Sequence, residues 1–190
     1  MFRITALRLL CFALSLVYAP GFLNAAEPSS GLDWRARVES SLPLFGHRNW
    51  ILIVDSAYPL QVAPGIETID TGASQTEVLH FVLSAVNRAP HVRPDVFLDA
   101  ELPYISDQDA PGVSAYRDDL AAILREFPTH SLAHDKLIAN VNEAGQAFHV
   151  LVLKTTMTIP YSSVFVRLNC RYWSDDAETR LRQKMAGPKH

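Results

Sequence analysis

The sequence predicts a single α/β layered domain, a central and mostly parallel sheet flanked by helices. Three observations point there. Trp50–Val54 is an unbroken apolar run rich in β-branched residues, the pattern of a strand covered on both faces. Further strand-like runs, at 148–153 and 164–168, alternate with segments of helical periodicity, as layered α/β domains do. With 190 residues, 48% of them hydrophobic, the chain can bury one ordinary core.

The elements follow in chain order. Residues 32–41 carry Leu32, Arg35 and Val38 at helical spacing with Asp33 near the start, which predicts a short amphipathic helix. The central run at 50–54 comes next, and Pro59 ends its ladder. A loop through Pro64 and Gly65 leads to a short strand at 66–69. Ser74-Gln-Thr-Glu77 is a capping box, and Val78, Leu79, Val82, Leu83 and Val86 form the core stripe of the helix behind it. Residues 95–98 read as a strand, 103–111 as an acidic turn-rich loop, and 114–127 as a second amphipathic helix. Ser131 is expected to cap a third helix, with His134, Leu137, Ile138 and Val141 on one face and Gly145 as its stop. The strands at 148–153 and 164–168 close the domain, and 174–190 is a charged tail.

The first 26 residues form a separate unit. Arg3 and Arg8 precede an apolar run at 9–17, and Asn24-Ala25-Ala26 makes a small-residue cleavage site. That layout predicts a signal peptide at 1–26, a domain at 32–173 and a periplasmic or secreted protein. Pro20-Gly21 interrupts the segment short of the ~20 apolar residues a membrane span needs, so no stable span is expected after cleavage. Cys11 lacks the context of a lipid-modified cysteine, and its removal leaves only Cys170, so no intramolecular disulfide forms. A net charge of −3 without a Lys/Arg cluster argues against a nucleic-acid surface.

Candidate chemistry gathers around the central run. His47 precedes it and Asp55 follows it, and a carboxylate beyond a central strand lies where open α/β sheets place ligands. An imidazole gives and accepts protons near neutrality. Tyr161 and Ser163, two apart before the last strand, are expected to point the same way and to suit hydroxyl recognition. His130 and His134 stand at i, i+4 spacing without a carboxylate to complete a metal site. His80, His91 and His149 read as packing or surface residues. Ile69-Asp70-Thr-Gly-Ala resembles a retroviral-type aspartic protease element, but a capping box and helix follow where a barrel strand is required.

Gly46-His47-Arg48-Asn49, the apolar strand and Val54-Asp55-Ser-Ala-Tyr-Pro59, together with Pro160-Tyr161-Ser-Ser163-Val-Phe-Val166, resemble the ribose pyranase/fucose mutarotase family. The resemblance covers roughly residues 33–173. It implies a cofactor-free isomerase interconverting cyclic forms of a monosaccharide, with His47 as acid/base and Asp55, His134, Tyr161 and Ser163 on the substrate. His130 competes with His134 for the one binding histidine that the resemblance implies. It also implies a ring-like homo-oligomer with sites between subunits. Trp34, Tyr58, Tyr172 and Trp173 are the aromatic residues expected at such interfaces. At Ser163 the chain departs from the family, which has Asn there. That departure keeps open a second reading, a non-catalytic exported sugar-binding or scaffold domain of the same fold.

Overall fold

The computed structural model describes residues 33–187; the predicted signal peptide lies outside the described residues. Six strands, β1 (Trp50–Val54), β2 (Ile66–Asp70), β3 (Val92–Asp99), β4 (Thr129–Leu132), β5 (Val150–Lys154) and β6 (Val164–Cys170), form one sheet of order β2-β5-β1-β6-β3-β4. β5 lies parallel to β1 and β2, and β4 parallel to β3, while β6 runs antiparallel to both of its neighbours, β1 and β3. The sheet is therefore mixed, with five strands in one direction and β6 inserted against them.

Both faces are covered. Helices α1 (Trp34–Ser41), α2 (Gln75–Arg88) and α3 (Val113–Leu124) pack on one face, over Ile51, Ile53, Leu151, Leu153, Val164 and Val166. Helix α4 (His134–Ala147) packs Leu137 and Val141 on the other, with Leu52, Val54, Val152 and Phe165. Alternate residues of β1 thus enter opposite layers, which is why its sequence is apolar without interruption. Each fully buried aliphatic side chain contributes ~1.5–3 kcal/mol. The charged tail carries helix α5 (Asp175–Met185), which buries no residue and is tied down by Arg93 on Asp175 and the Trp173 indole on Glu178. Among the described residues no helix is long and apolar enough to cross a membrane.

Several local expectations change. Ser131 does not cap α4: it lies inside β4, and the helix opens at His134. Its first amide instead donates to the Glu101 carboxylate at 3.1 Å, a cap reached from 33 residues away. Gly145 does not stop the helix, which runs to Ala147; a Cβ there would meet the Ile66 side chain at 2.5 Å, so glycine lets β2 approach. Ser74 does accept from the Glu77 amide (3.3 Å), but the Glu77 carboxylate pairs with Arg35 rather than reaching back. Trp34 and Tyr58 are buried at 5% and 3% exposure and cannot be surface anchors. Trp34 stands edge-on to Phe81 (5.1 Å), Tyr58 to Phe165 (6.3 Å), while Tyr172 and Trp173 are exposed.

Candidate functional site

Five parallel strands deliver their carboxyl ends to one edge of the sheet, and antiparallel β6 brings the turn before it to that same edge. Ligands of open α/β sheets bind at such an edge. Asp55 stands just beyond β1. One of its oxygens accepts from the Ala57 amide (2.9 Å), closing a turn, and the other accepts from the Ser163 hydroxyl (3.1 Å). One side chain thus both closes the turn and holds Ser163. Ser163 is buried, so its short hydroxyl is spent on Asp55.

Tyr161 reaches the edge by a different route from the one its spacing suggests. Its φ of 56° takes it out of the strand, and it is 39% exposed. The strand pleat does not orient it; a left-handed turn does. Its ring meets that of His134 edge-on, 5.3 Å between centroids. The turn is held from below. The Ser162 carbonyl, between Tyr161 and Ser163, accepts from Gln75 Nε2 (2.7 Å) and the Tyr116 hydroxyl (2.5 Å). Gln75 in turn accepts from the Thr155 hydroxyl (2.7 Å), which joins the ends of α2, β5 and β6 in one buried polar network.

His134 opens α4 at this edge, about a third exposed, and its Nδ1 lies 3.0 Å from Asp99 Oδ1. Asp99, the last residue of β3, has a fully buried side chain whose second oxygen has no partner among the described residues. Burial pushes the Asp99 carboxyl above the ordinary carboxylate range; Glu101 and Asp55 add to the rise and His134 opposes it. Burial likewise raises the Tyr58 phenol, with Asp99 and Asp55 contributing. Lys154, at the end of β5, donates its ammonium to the Tyr58 carbonyl at 3.0 Å. Asp99 and Glu101 were not singled out from the sequence. Both fall between the expected strand at 95–98 and the acidic loop at 103–111, where the sequence assigns neither a role.

The remaining histidines separate. His130 belongs to β4, where Nε2 lies 2.8 Å from Asp95, which Arg167 also engages. Asp95 and Asp99 are four residues apart on β3, so the two pairs stand roughly 13 Å apart along the strand. His134 is the one beside Tyr161. His47 lies at the other end of β1, which alone spans roughly 15 Å. The tight turn 46–49 holds it there: Asn49 accepts from the Gly46 amide (2.8 Å) and donates to the His149 carbonyl (3.0 Å), while Arg48 adopts φ 78°. His47 lines a cleft of about 480 Å³ with Arg48, Asn169, Trp173, Glu178 and Arg182. Within one chain the structure joins Asp55, His134, Tyr161 and Ser163, and it leaves His47 apart. Asp70-Thr-Gly is a turn, with Asp70 accepting from the Gly72 amide (3.1 Å).

No protein-family model matches the chain, and no curated protein matches it. Solved structures do. RbsD of Bacillus subtilis complexed with D-ribose superposes with a TM-score of 0.53 at 14% identity, covering 70% of this chain and 92% of that one. FucU from Bifidobacterium longum gives 0.49 at 16% identity, over 70% and 92%. The fucose mutarotase from Streptococcus pneumoniae, in complex with L-fucose, gives 0.47 at 18%, over 68% and 89%. The chain thus shares the α/β fold of the ribose-bound RbsD.

Proposed function

We propose that the chain binds an unphosphorylated monosaccharide at the carboxyl edge of its sheet and interconverts the sugar's cyclic forms. The observation that carries this reading is the convergence of Asp55, His134, Tyr161 and Ser163, drawn from three separate segments, on one edge. Sugar hydroxyls both give and accept hydrogen bonds, and a carboxylate, an imidazole and a phenol answer them. Three carboxylates, Asp55, Asp99 and Glu101, gather at this edge, and the Lys154 ammonium at the end of β5 is engaged by the Tyr58 carbonyl. That balance favours a neutral polyol over a sugar phosphate.

Ring opening moves two protons. A base takes the anomeric hydroxyl proton as the carbonyl forms; the bond from C1 to the ring oxygen breaks, its electron pair goes to that oxygen, and an acid protonates it. Closure reverses the step, and no cofactor is consumed. His47 is the proposed acid/base group. Because β1 separates it from Asp55 in its own chain, it would serve the edge of a neighbouring subunit in a homo-oligomer. Saturation-transfer NMR on ribose, fucose and related sugars tests the reading. His47→Ala should lose about a hundred- to ten-thousand-fold in exchange rate while retaining sugar binding. Equal rates within twofold would overturn the assignment. Light scattering that gives a monomer across the micromolar range would overturn the shared site.

One observation favours the second reading, a non-catalytic binding or scaffold domain. Ser163 is short, buried and committed to Asp55 where the resembling family has Asn. Wild-type protein that binds a sugar without accelerating its exchange would establish that outcome. We further propose that residues 1–26 are a cleaved export signal and the protein periplasmic or secreted. Mass spectrometry of protein from the native host, finding residues before Pro20 still attached, would refute it.

A further inference from the structure

The pair formed by Asp99 and His134 has a geometry that goes beyond holding a ligand. Asp99 sits at the last position of β3 with its side chain wholly out of solvent. Oδ1 faces His134 Nδ1 at 3.0 Å, and Oδ2 has no hydrogen-bond partner among the described residues. A buried carboxylate left half unpartnered costs stability, so its one strong contact is where its purpose lies. The imidazole is fixed on its other sides too. The Glu101 carboxylate pins the His134 amide at 3.1 Å, and the Tyr161 ring stands edge-on at 5.3 Å. No described residue bonds Nε2.

A free neutral imidazole prefers the proton on Nε2; which nitrogen carries it in a protein depends on the bond the other makes. An ionised carboxylate can only accept. We infer that Asp99 is a positioning residue that locks neutral His134 in the Nδ1–H tautomer, so that Nε2 is left at the carboxyl edge of the sheet as a proton acceptor. Resting on the proposed isomerase reading, the consequence is a division of labour. His134 Nε2 takes the anomeric hydroxyl proton, and His47 supplies the proton to the ring oxygen. The imidazolium so formed is stabilised by the Asp99 carboxylate, which itself stays ionised, and Nε2 returns the proton when the ring closes.

The test is a long-range ¹H–¹⁵N spectrum of ¹⁵N-labelled protein above neutrality, with His134 identified through its loss in His134→Gln. Nε2 should resonate as an unprotonated nitrogen and Nδ1 as a protonated one. Asp99→Ala should invert that pattern. Asp99→Asn, which fills the same space and whose amide can accept from Nδ1–H or donate to Nδ1, should lower kcat at least tenfold with KM within about twofold, whichever tautomer the ring takes. A wild-type ring protonated on Nε2, or an Asp99→Ala ring unchanged in tautomer, overturns the inference. So does an Asp99→Asn protein with wild-type kcat. Should no sugar be accelerated by wild type while the tautomer still depends on Asp99, the positioning role stands and the isomerase reading falls.

Discussion

Gln75 offers the sharpest test of how the site is supported. It is the first residue of α2, placed by the Ser74 cap, and only 1% exposed. Its Nε2 donates to the Ser162 carbonyl at 2.7 Å and more weakly to the Ile53 carbonyl at 3.3 Å, and its Oε1 accepts from Thr155 at 2.7 Å. Gln75→Met keeps the volume and removes the amide. Leaving aside a long contact of 3.4 Å from Nε2 to the Tyr116 hydroxyl, summing these three bonds at about 1 kcal/mol each would predict a loss of about 3 kcal/mol. Two of the partners left behind are not orphaned, however. The Thr155 hydroxyl can turn its proton to the Val54 carbonyl at 2.9 Å, and Ser162 keeps the Tyr116 hydroxyl at 2.5 Å. The expected loss is therefore smaller, about 1–2 kcal/mol, or ~2–8 °C in Tm for a domain of this size. Tyr116→Phe alone should behave similarly. Together the two changes strip every donor from a carbonyl on a residue that is 0% exposed. The double variant should then lose about 1–2 kcal/mol more than the sum of the singles. Urea unfolding of the four proteins measures this, and strict additivity would refute the shared-acceptor argument.

Two further outcomes follow from packing and charge. Asp99 has a folded-state pKa raised above its unfolded value, so the folded protein holds the proton more tightly. Its effect on stability is absent in acid, where both states are protonated, and turns unfavourable as pH rises from the ordinary carboxylate range through the raised folded value. Asp99→Asn should accordingly stabilise the protein near neutrality while impairing the site, and the gain should vanish in acid. Urea midpoints at the two pH values check it; a loss near neutrality would contradict it. Gly65→Ala should be severely destabilising, about 2 kcal/mol or more, because the new Cβ would lie 2.2 Å from the Phe148 carbonyl oxygen and 2.7 Å from that of Gly145. Backbone cannot swing aside as a side chain can. A thermal midpoint within a degree of wild type would show that the β2 entrance is looser than these distances.

Much of the layering was legible from periodicity alone. The unbroken run of β1 announced a strand with two covered faces, and the stripe of α2 announced a helix with one, because each pattern reports burial at a fixed local spacing. β4 was not legible. Thr129–Leu132 is a four-residue edge strand, mostly exposed, with no apolar alternation, and it exists by pairing with β3. The antiparallel insertion of β6 between β1 and β3 leaves no local trace either, since a strand buried on both sides reads the same in either direction.

The site divides along the same line. Asp55, Tyr161 and Ser163 were nominated by residue type and position in the order of elements, and His134 by the family resemblance in competition with His130; the structure brings the four to one edge. Tyr161 arrived by a left-handed turn that its two-residue spacing from Ser163 did not disclose. Asp99 could be recognised only once β3 and α4 met, since its partner lies 35 residues away. His47 and Asp55 are eight positions apart in the sequence, yet the strand that brings Asp55 to the carboxyl edge also carries His47 to the opposite edge. Side-chain chemistry and local periodicity belong to the residues. Which carboxylate is buried, which imidazole it holds and which end of the sheet each group reaches depend on contacts between distant segments, and those form only when the layers pack.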